Sequence, residues 1–295
     1  MKIFVVALAM FILAGWTPCI RADEVHAVAS FTVLADMVRQ IGGSHVQVRS
    51  LVGPNGDPHV YEPTPQDAEA LAKADVIFVS GLGLEGWMDR LIGASGTKGT
   101  LVVASAGVPT RRMDEDGREI TDPHAWNSAA NGVIYAENIT RALIRADPGD
   151  AAGYRARGNA YEAQLRKLDA WARQAVDRLP VAQRSVITSH DAFGYMGAAY
   201  RIRFLAPVGF STESEASATA VANLIDQIKQ THIHAVFLEN SNDPRLIEQI
   251  AAETGVRLGG TLYAEALSTA DGPAPTYSAM FRYNIETLLQ GMSAH

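Results

Sequence analysis

Four side chains of types that commonly bind metal ions each follow a short apolar segment of the sequence. They are His59, His124, His190 and Glu265. In open parallel sheets, ligands bind outside the carboxyl ends of the strands. Two of the four side chains come from each half of the chain. If the apolar segments are parallel strands, all four lie at the carboxyl edge of a sheet. Neutral imidazoles with one carboxylate suit four-coordinate zinc, so the sequence predicts a metal site.

The other histidines do not share this placement. His26 lies inside a predicted strand, and His45 lies at the start of one. His232 and His234 precede a strand, which puts them at the opposite edge of the sheet, and His295 is the terminal residue. This contrast singles out the three candidate histidines, although chance could also place three histidines at one edge.

His59 lies in a loop, residues 53–63, that contains three prolines and two glycines. The loop connects an alternating apolar segment, typical of a strand, to a helix with Thr64 as N-cap and Pro65 at its first position. Prolines restrict the backbone, so this loop would lose little conformational freedom when it binds a ligand. The alternative interpretation is a rigid turn that carries one surface histidine.

Predicted strands and helices alternate along the rest of the chain, which is typical of parallel sheets with helices on both faces. The strands are predicted at 25–29, 46–52, 76–79, 101–104, 185–189, 201–205, 235–238 and 257–263. The helices are predicted at 32–41, 64–73, 86–92, 127–145, 192–200, 216–230, 243–254 and 275–292. Residues 111–119 are charged and are expected to form a solvated loop. The predicted fold class is α/β, with two lobes that each contain a mostly parallel sheet flanked by helices.

One long helix, residues 148–179, is predicted to join the two lobes. Its apolar residues recur at helical spacing, and about 30 residues would span roughly 45 Å, more than a helix packed on one small domain needs. The alternative is two shorter helices broken near Gly158. The predicted organisation is a signal peptide (1–22), an N-terminal metal-binding lobe (23–147), the linking helix (148–179) and a C-terminal metal-binding lobe (180–295).

The first 22 residues are typical of a secretory signal peptide, with Lys2 near the start, an apolar core and cleavage expected near Ala22. A membrane anchor is the alternative, but the apolar run is shorter than the roughly 20 residues that span a bilayer. Cys19 is the only cysteine, and the residues before it do not resemble a lipoprotein processing site. We therefore expect a periplasmic protein without disulfides. The net charge of −7 argues against nucleic acid as a partner.

Four motifs together resemble the zinc- and manganese-binding solute-binding proteins of ABC importers. The motifs are Gly56-Asp57-Pro58-His59, Asp122-Pro123-His124-Ala125-Trp126, Ser189-His190-Asp191-Ala192-Phe193-Gly194-Tyr195 and Asn242-Asp243-Pro244-Arg245. The resemblance implies that the three histidines of these motifs are the first three metal ligands. The family's fourth ligand is usually an aspartate, and the matching position here holds Glu265. Asp271 and Glu239 are the alternatives for this position.

Two departures from the family pattern bear on the choice of metal. Manganese-binding members often have a carboxylate as third ligand, whereas this chain has His190, and nitrogen donors favour zinc over manganese. Many zinc-binding members carry a long histidine-rich loop, but residues 111–119 are short and contain no histidine. The acidic residues at 114–116 are expected to be solvated, with transient metal contact as the alternative.

The resemblance implies capture of Zn²⁺, as transported ligand, and its delivery to an ABC transporter permease, with Mn²⁺ as the alternative ion. We expect a monomer that is not an enzyme, and a periplasmic metallochaperone is a further candidate partner. A zinc hydrolase with Glu265 as general base is the rival from another class, but the chain has no His-Glu-x-x-His motif. A surface adhesin with a structural metal is a second rival.

Overall fold

The computed structural model describes residues 24–293, except 116, 210–211, 213–216, 232 and 234. The predicted signal peptide with Cys19, and the predictions for Asp116, His232, His234 and His295, lie outside the described residues. Among the described helices, none is both long and apolar enough to cross a membrane.

The first half of the chain forms a four-stranded parallel sheet. Its strands are β1 (Val25–Ala29), β2 (Val46–Ser50), β3 (Val76–Val79) and β4 (Thr100–Val103), in the spatial order β2-β1-β3-β4. Its helices are α1 (Thr32–Gly42), α2 (Pro65–Lys73) and α3 (Met88–Ser95). Every residue of β3 is buried, as expected of a central strand covered on both faces.

Residues 111–119 are not the irregular solvated loop that the sequence predicts. They belong to an antiparallel hairpin of β5 (Arg112–Glu115) and β6 (Arg118–Thr121). Met113 is buried, Arg112 donates to Thr121 Oγ1 at 3.0 Å, and Gly117 takes a positive φ of 78° in the turn. A hairpin can form from charged residues because one apolar anchor and cross-strand polar pairs stabilise it.

Two helices connect the sheets, α4 (Ala129–Ala146) and α5 (Ala151–Val176). The 26 residues of α5 correspond to a length of about 39 Å. The helix is continuous through Gly158, so the predicted alternative of a break there is wrong. A Cβ at Gly158 would overlap Thr140 of α4 and lie 2.9 Å from its Cγ2. This glycine therefore allows the two helices to pack closely.

The second half of the chain forms another four-stranded parallel sheet. Its strands are β7 (Ser185–Ile187), β8 (Arg203–Leu205), β9 (Ala235–Glu239) and β10 (Arg257–Leu262), in the order β10-β9-β7-β8. Its helices are α6 (Gly194–Tyr200), α7 (Ala218–Thr231), α8 (Arg245–Thr254) and α9 (Tyr277–Ser293). The predicted fold class, two parallel sheets flanked by helices and connected by a long helix, is confirmed.

A single apolar cluster extends from the first sheet to the second. It contains Phe78 of β3, Leu165 of α5, and Phe237 and Leu262 of the second sheet. A smaller cluster, which includes Ile187, Val236 and Ile250, lies under α7 and α8. Because close-packed interiors deform little, the continuous cluster fixes the position of one sheet relative to the other.

The close packing of α4 on α5 leads to a stability prediction. Gly158→Ala should lower the free energy of unfolding by about 1–3 kcal/mol, because the added methyl group overlaps Thr140. The matched control is Gly93→Ala in α3, where a Cβ meets nothing within 4 Å. That change should raise the free energy of unfolding by about 0.5–1 kcal/mol through helix propensity. Urea unfolding measures both, and equal effects at the two positions would contradict the packing argument.

Candidate metal site

His59, His124, His190 and Glu265 converge on one point between the two sheets. One nitrogen or oxygen atom from each of them lies within 4.8 Å of all the others. Glu265 Oε1 lies 2.5 Å from His59 Nε2, 3.0 Å from His190 Nε2 and 3.4 Å from His124 Nε2. The side chains of all four are at most 3% exposed. The four residues, which we call the tetrad, thus present three imidazole nitrogens and one carboxylate in a dry site.

The loop that carries His59 is fixed by hydrogen bonds at both ends. The Trp87 indole donates to Pro58 O at 2.8 Å, and Asp57 Oδ1 accepts from the backbone N–H of His59 at 2.8 Å. On the other side, Thr64 and Asp67 form a capping box at the start of α2. The proline-rich loop therefore presents the imidazole of His59 from a fixed backbone.

His124 is oriented by a buried carboxylate two residues earlier. Asp122 Oδ1 lies 2.9 Å from His124 Nδ1 and accepts the backbone N–H of His124 at 3.0 Å. The hydroxyl of Tyr195 donates to Asp122 O at 3.0 Å, which ties this loop to α6. When Nδ1 donates to a carboxylate, the lone pair stays on Nε2, and Nε2 is the atom that faces the tetrad.

His190 is oriented in the same way by Glu239, at the end of β9. Glu239 Oε2 lies 2.5 Å from His190 Nδ1, and Glu239 Oε1 accepts the backbone N–H groups of Ser189 and His190 at 2.8 and 3.1 Å. Asn242 donates to Glu239 Oε2 at 3.1 Å. Glu239, an alternative fourth ligand in the sequence analysis, contacts Nδ1 rather than the Nε2 atom that faces the tetrad.

Glu265 belongs to a loop that is bonded to the loop of His124. Ala264 O accepts the indole N–H of Trp126 at 2.8 Å and the amide of Asn127 at 3.2 Å. Within the described part of the chain, Glu265 Oε2 has no hydrogen-bond partner. Asp271, the other alternative fourth ligand, is exposed and is not part of the converging group.

In the tetrad, neighbouring charges and hydrogen bonds shift the pKa values in the direction opposite to burial. Burial would lower the pKa of His190, but the carboxylates of Glu239 and Glu265 hold that pKa well above the ordinary histidine value. Burial also disfavours charge on His124, yet hydrogen bonds to Asp122 and Glu265 raise its pKa. Burial would raise the pKa of Glu265, but His59 and His190 hold it well below the usual range. The site favours a carboxylate balanced by positive charge, which a metal cation supplies in place of protons.

Sequence reasoning named the four tetrad residues, which the structure brings together, but it missed the carboxylates behind two of the histidines. Asp122 could have been found from its position in the Asp-Pro-His motif, two residues before His124. Glu239 is the last residue of β9, at the same carboxyl edge as the tetrad, and this position is the signal that marks it as part of the site. Ligand histidines commonly donate their second ring nitrogen to such groups.

Comparisons with known proteins identify the family of the chain. The family model of ZnuA, the periplasmic component A of a zinc-uptake complex, matches residues 27–291. The iron-binding protein YfeA of Yersinia pestis is 32% identical over 95% of this chain and 90% of its own length. The manganese-binding lipoprotein MntA of Bacillus subtilis is 33% identical over 92% of this chain and 90% of its own.

The similarity extends to a solved structure. The periplasmic zinc-binding protein TroA of Treponema pallidum superposes with a TM-score of 0.87 at 31% identity, over 92% of this chain and 100% of TroA. This agrees with the two parallel sheets and the long connecting helix described above. The family model covers nearly the whole described chain. The chain therefore belongs to the ZnuA family of metal-binding, substrate-binding proteins of ABC transporters.

Proposed function

We propose that this protein captures zinc outside the cytoplasmic membrane and delivers it to the permease of an ABC importer, with His59, His124, His190 and Glu265 as the metal ligands. The convergence of three Nε2 atoms with one carboxylate oxygen carries this proposal. Ligands about 2.0–2.1 Å from zinc at tetrahedral angles lie roughly 3.3–3.4 Å apart. The His59–His124 and His124–Glu265 separations, 3.3 and 3.4 Å, have this length, whereas Glu265 Oε1 lies closer to His190 Nε2, at 3.0 Å, and to His59 Nε2, at 2.5 Å.

Manganese is the second candidate ion, and Glu265 supplies an observation in its favour. Its Oε2 atom has no hydrogen-bond partner in the described residues, so a bidentate carboxylate could provide a fifth donor. Manganese takes oxygen-rich, higher coordination more readily than zinc. Relatives named as manganese- and iron-binding proteins share about a third of the sequence. Three imidazoles in four ligand residues nevertheless favour zinc.

A hydrolytic role fits the site less well than a transport role. Four protein ligands fill the tetrahedral shell, whereas a catalytic zinc keeps one position for water. Glu265 would serve as a ligand and not as a general base. The family to which the chain belongs consists of solute-binding transport proteins. We infer that metal capture, and not catalysis, is the function of this site.

The proposal includes export by a signal peptide cleaved near Ala22 and residence in the periplasm. The family description names a periplasmic component, while several relatives are named lipoproteins. The residues before Cys19 do not resemble a lipoprotein site, so we propose a soluble form. The domain boundaries, the monomeric state and a metallochaperone partner remain predictions.

The choice of ion leads to a competition experiment. Purified protein offered equimolar zinc and manganese should bind zinc almost exclusively, because nitrogen-rich sites bind zinc more tightly than manganese. Mass spectrometry of the native protein and competition titration measure this preference. A preference for manganese would leave the family assignment intact but would overturn the choice of zinc.

The ligand assignment leads to a prediction for single substitutions. His59→Ala, His124→Ala and His190→Ala should each weaken zinc binding by more than about 100-fold, because loss of a supporting contact alone costs 10–100-fold. Glu265→Ala should cost less, because water can take the fourth position. His26→Ala, in an exposed position of β1, is the matched control. Isothermal titration gives the affinities, and wild-type affinity in all three histidine variants would refute the assignment.

The raised histidine pKa values lead to a pH prediction. A histidine must lose its ring proton to bind metal, so protons compete with zinc. Because the pKa of His190 is raised, zinc affinity should keep increasing with pH above about 6.5, the ordinary histidine value. Glu239→Gln removes a carboxylate that raises this pKa, so its affinity should level off at lower pH. Titrations from pH 5.5 to about 8.5 measure both profiles, and a flat profile would contradict a three-histidine site.

A further inference from the structure

A cavity of about 500 Å³ adjoins the tetrad at His190. Its wall includes Asp57 from the first-ligand loop, Ser189 and Asn242 from the second lobe, and the start of α8. The tetrad side chains themselves are almost inaccessible, at most 3% exposed. An ion that reaches them must therefore cross surrounding structure, and this cavity already extends to one of the four ligands.

Asp57 connects the two lobes across the wall of this cavity. Its Oδ1 accepts the backbone N–H of His59 at 2.8 Å, and its Oδ2 accepts the Thr212 hydroxyl at 2.6 Å. No lysine or arginine in the described residues forms a salt bridge with it. The carboxylate thus adds negative charge to the cavity beside the tetrad, and its bond to Thr212 is a contact that can open without displacing a ligand.

Ser189 supplies a second, independent observation at the same cavity. Its side chain is buried, with the residue 8% exposed, and its Oγ has no hydrogen-bond partner in the described part of the chain. A buried hydroxyl without a partner is costly unless water or another polar group completes it. Ser189 lines the cavity next to His190, where a water of a hydrated ion would satisfy it.

Arg245, in the cavity wall, does not cancel the negative charge of the cavity. Arg245 Nε lies 3.0 and 2.8 Å from the two carboxylate oxygens of Asp243. The Arg245 side chain is 86% exposed, so this pair lies at the outer rim and is close to neutral. Among Arg245, Asp243 and Asp57, the charge that is not balanced is the negative charge of Asp57.

The size of the cavity fits a hydrated ion. Six waters at about 30 Å³ each occupy roughly 180 Å³, well below the cavity volume of about 500 Å³. We propose that this cavity, the vestibule, is a transient site through which a hydrated divalent cation passes to the tetrad, held by Asp57 and by the Ser189 hydroxyl. This inference rests on the proposed metal-capture function. The ion exchanges its waters for the tetrad ligands as it moves past His190.

The first test measures zinc association in the full-length mature protein by stopped-flow fluorescence, with Trp126, whose ring centre is 5.6 Å from that of His124, as the reporter. Asp57→Asn keeps an oxygen that accepts the His59 N–H but removes the charge. Its association rate should fall about 3- to 10-fold at low salt and should depend less on salt, because a nearby charge steers the ion. Its dissociation rate into excess chelator should not rise. Asp89→Asn, an exposed change of the same charge on α3, should leave both rates unchanged.

The second test obstructs the vestibule without touching the tetrad. Ser241 lines the cavity, and Ser241→Phe should slow association and dissociation by the same factor, leaving the zinc Kd within about twofold because a route affects both directions equally. Unchanged rates in Ser241→Phe would overturn the proposal. So would faster dissociation with unchanged association in Asp57→Asn, which would make Asp57 only a support for His59. Absence of zinc binding by the wild-type protein would instead refute the proposed function.

Discussion

The structure depends on one constraint, the convergence of donors from two separate sheets on a single point. His59 follows β2 of the first sheet and His124 follows the hairpin that continues from β4, whereas His190 and Glu265 follow strands of the second sheet, and their donor atoms lie within 4.8 Å of one another. Loops alone would not hold such distances. The continuous apolar cluster and the close packing of α4 on α5 fix the sheets, and the bonds from Trp126 and Asn127 to Ala264 O fix the loops.

The tetrad gains its chemical character from carboxylates that are not its ligands. Asp122 and Glu239 each contact the Nδ1 of a histidine and also accept backbone N–H groups of the same loop. One buried carboxylate therefore sets both the ring orientation and the backbone position. Burial of these acids is costly unless positive charge balances them, and this requirement favours a cation at the tetrad.

The sequence predicted those parts of the fold in which local pattern and tertiary packing agree. Strands 25–29 and 76–79 match the structure residue for residue, because apolar segments of that length have few other stable environments. The hairpin at 112–121 was missed because its residues are mostly charged, so the sequence shows no clear alternation of apolar and polar residues. Met113 is its buried apolar anchor. The tetrad was found from the sheet-edge rule, whereas the role of Glu239 depends on a tertiary contact with His190 that spacing does not reveal.

The same constraint bears on how an ion leaves the site. A wide hinge would have to break the apolar cluster shared by both sheets and bend α5, which has no interior proline. The polar contacts around the tetrad are far easier to change, since a hydrogen bond contributes only about 0.5–1.5 kcal/mol net. The Asp57–Thr212 bond is of this kind and lies beside the ligands. We therefore expect the ion to leave by opening of the loops, with the two sheets held in place.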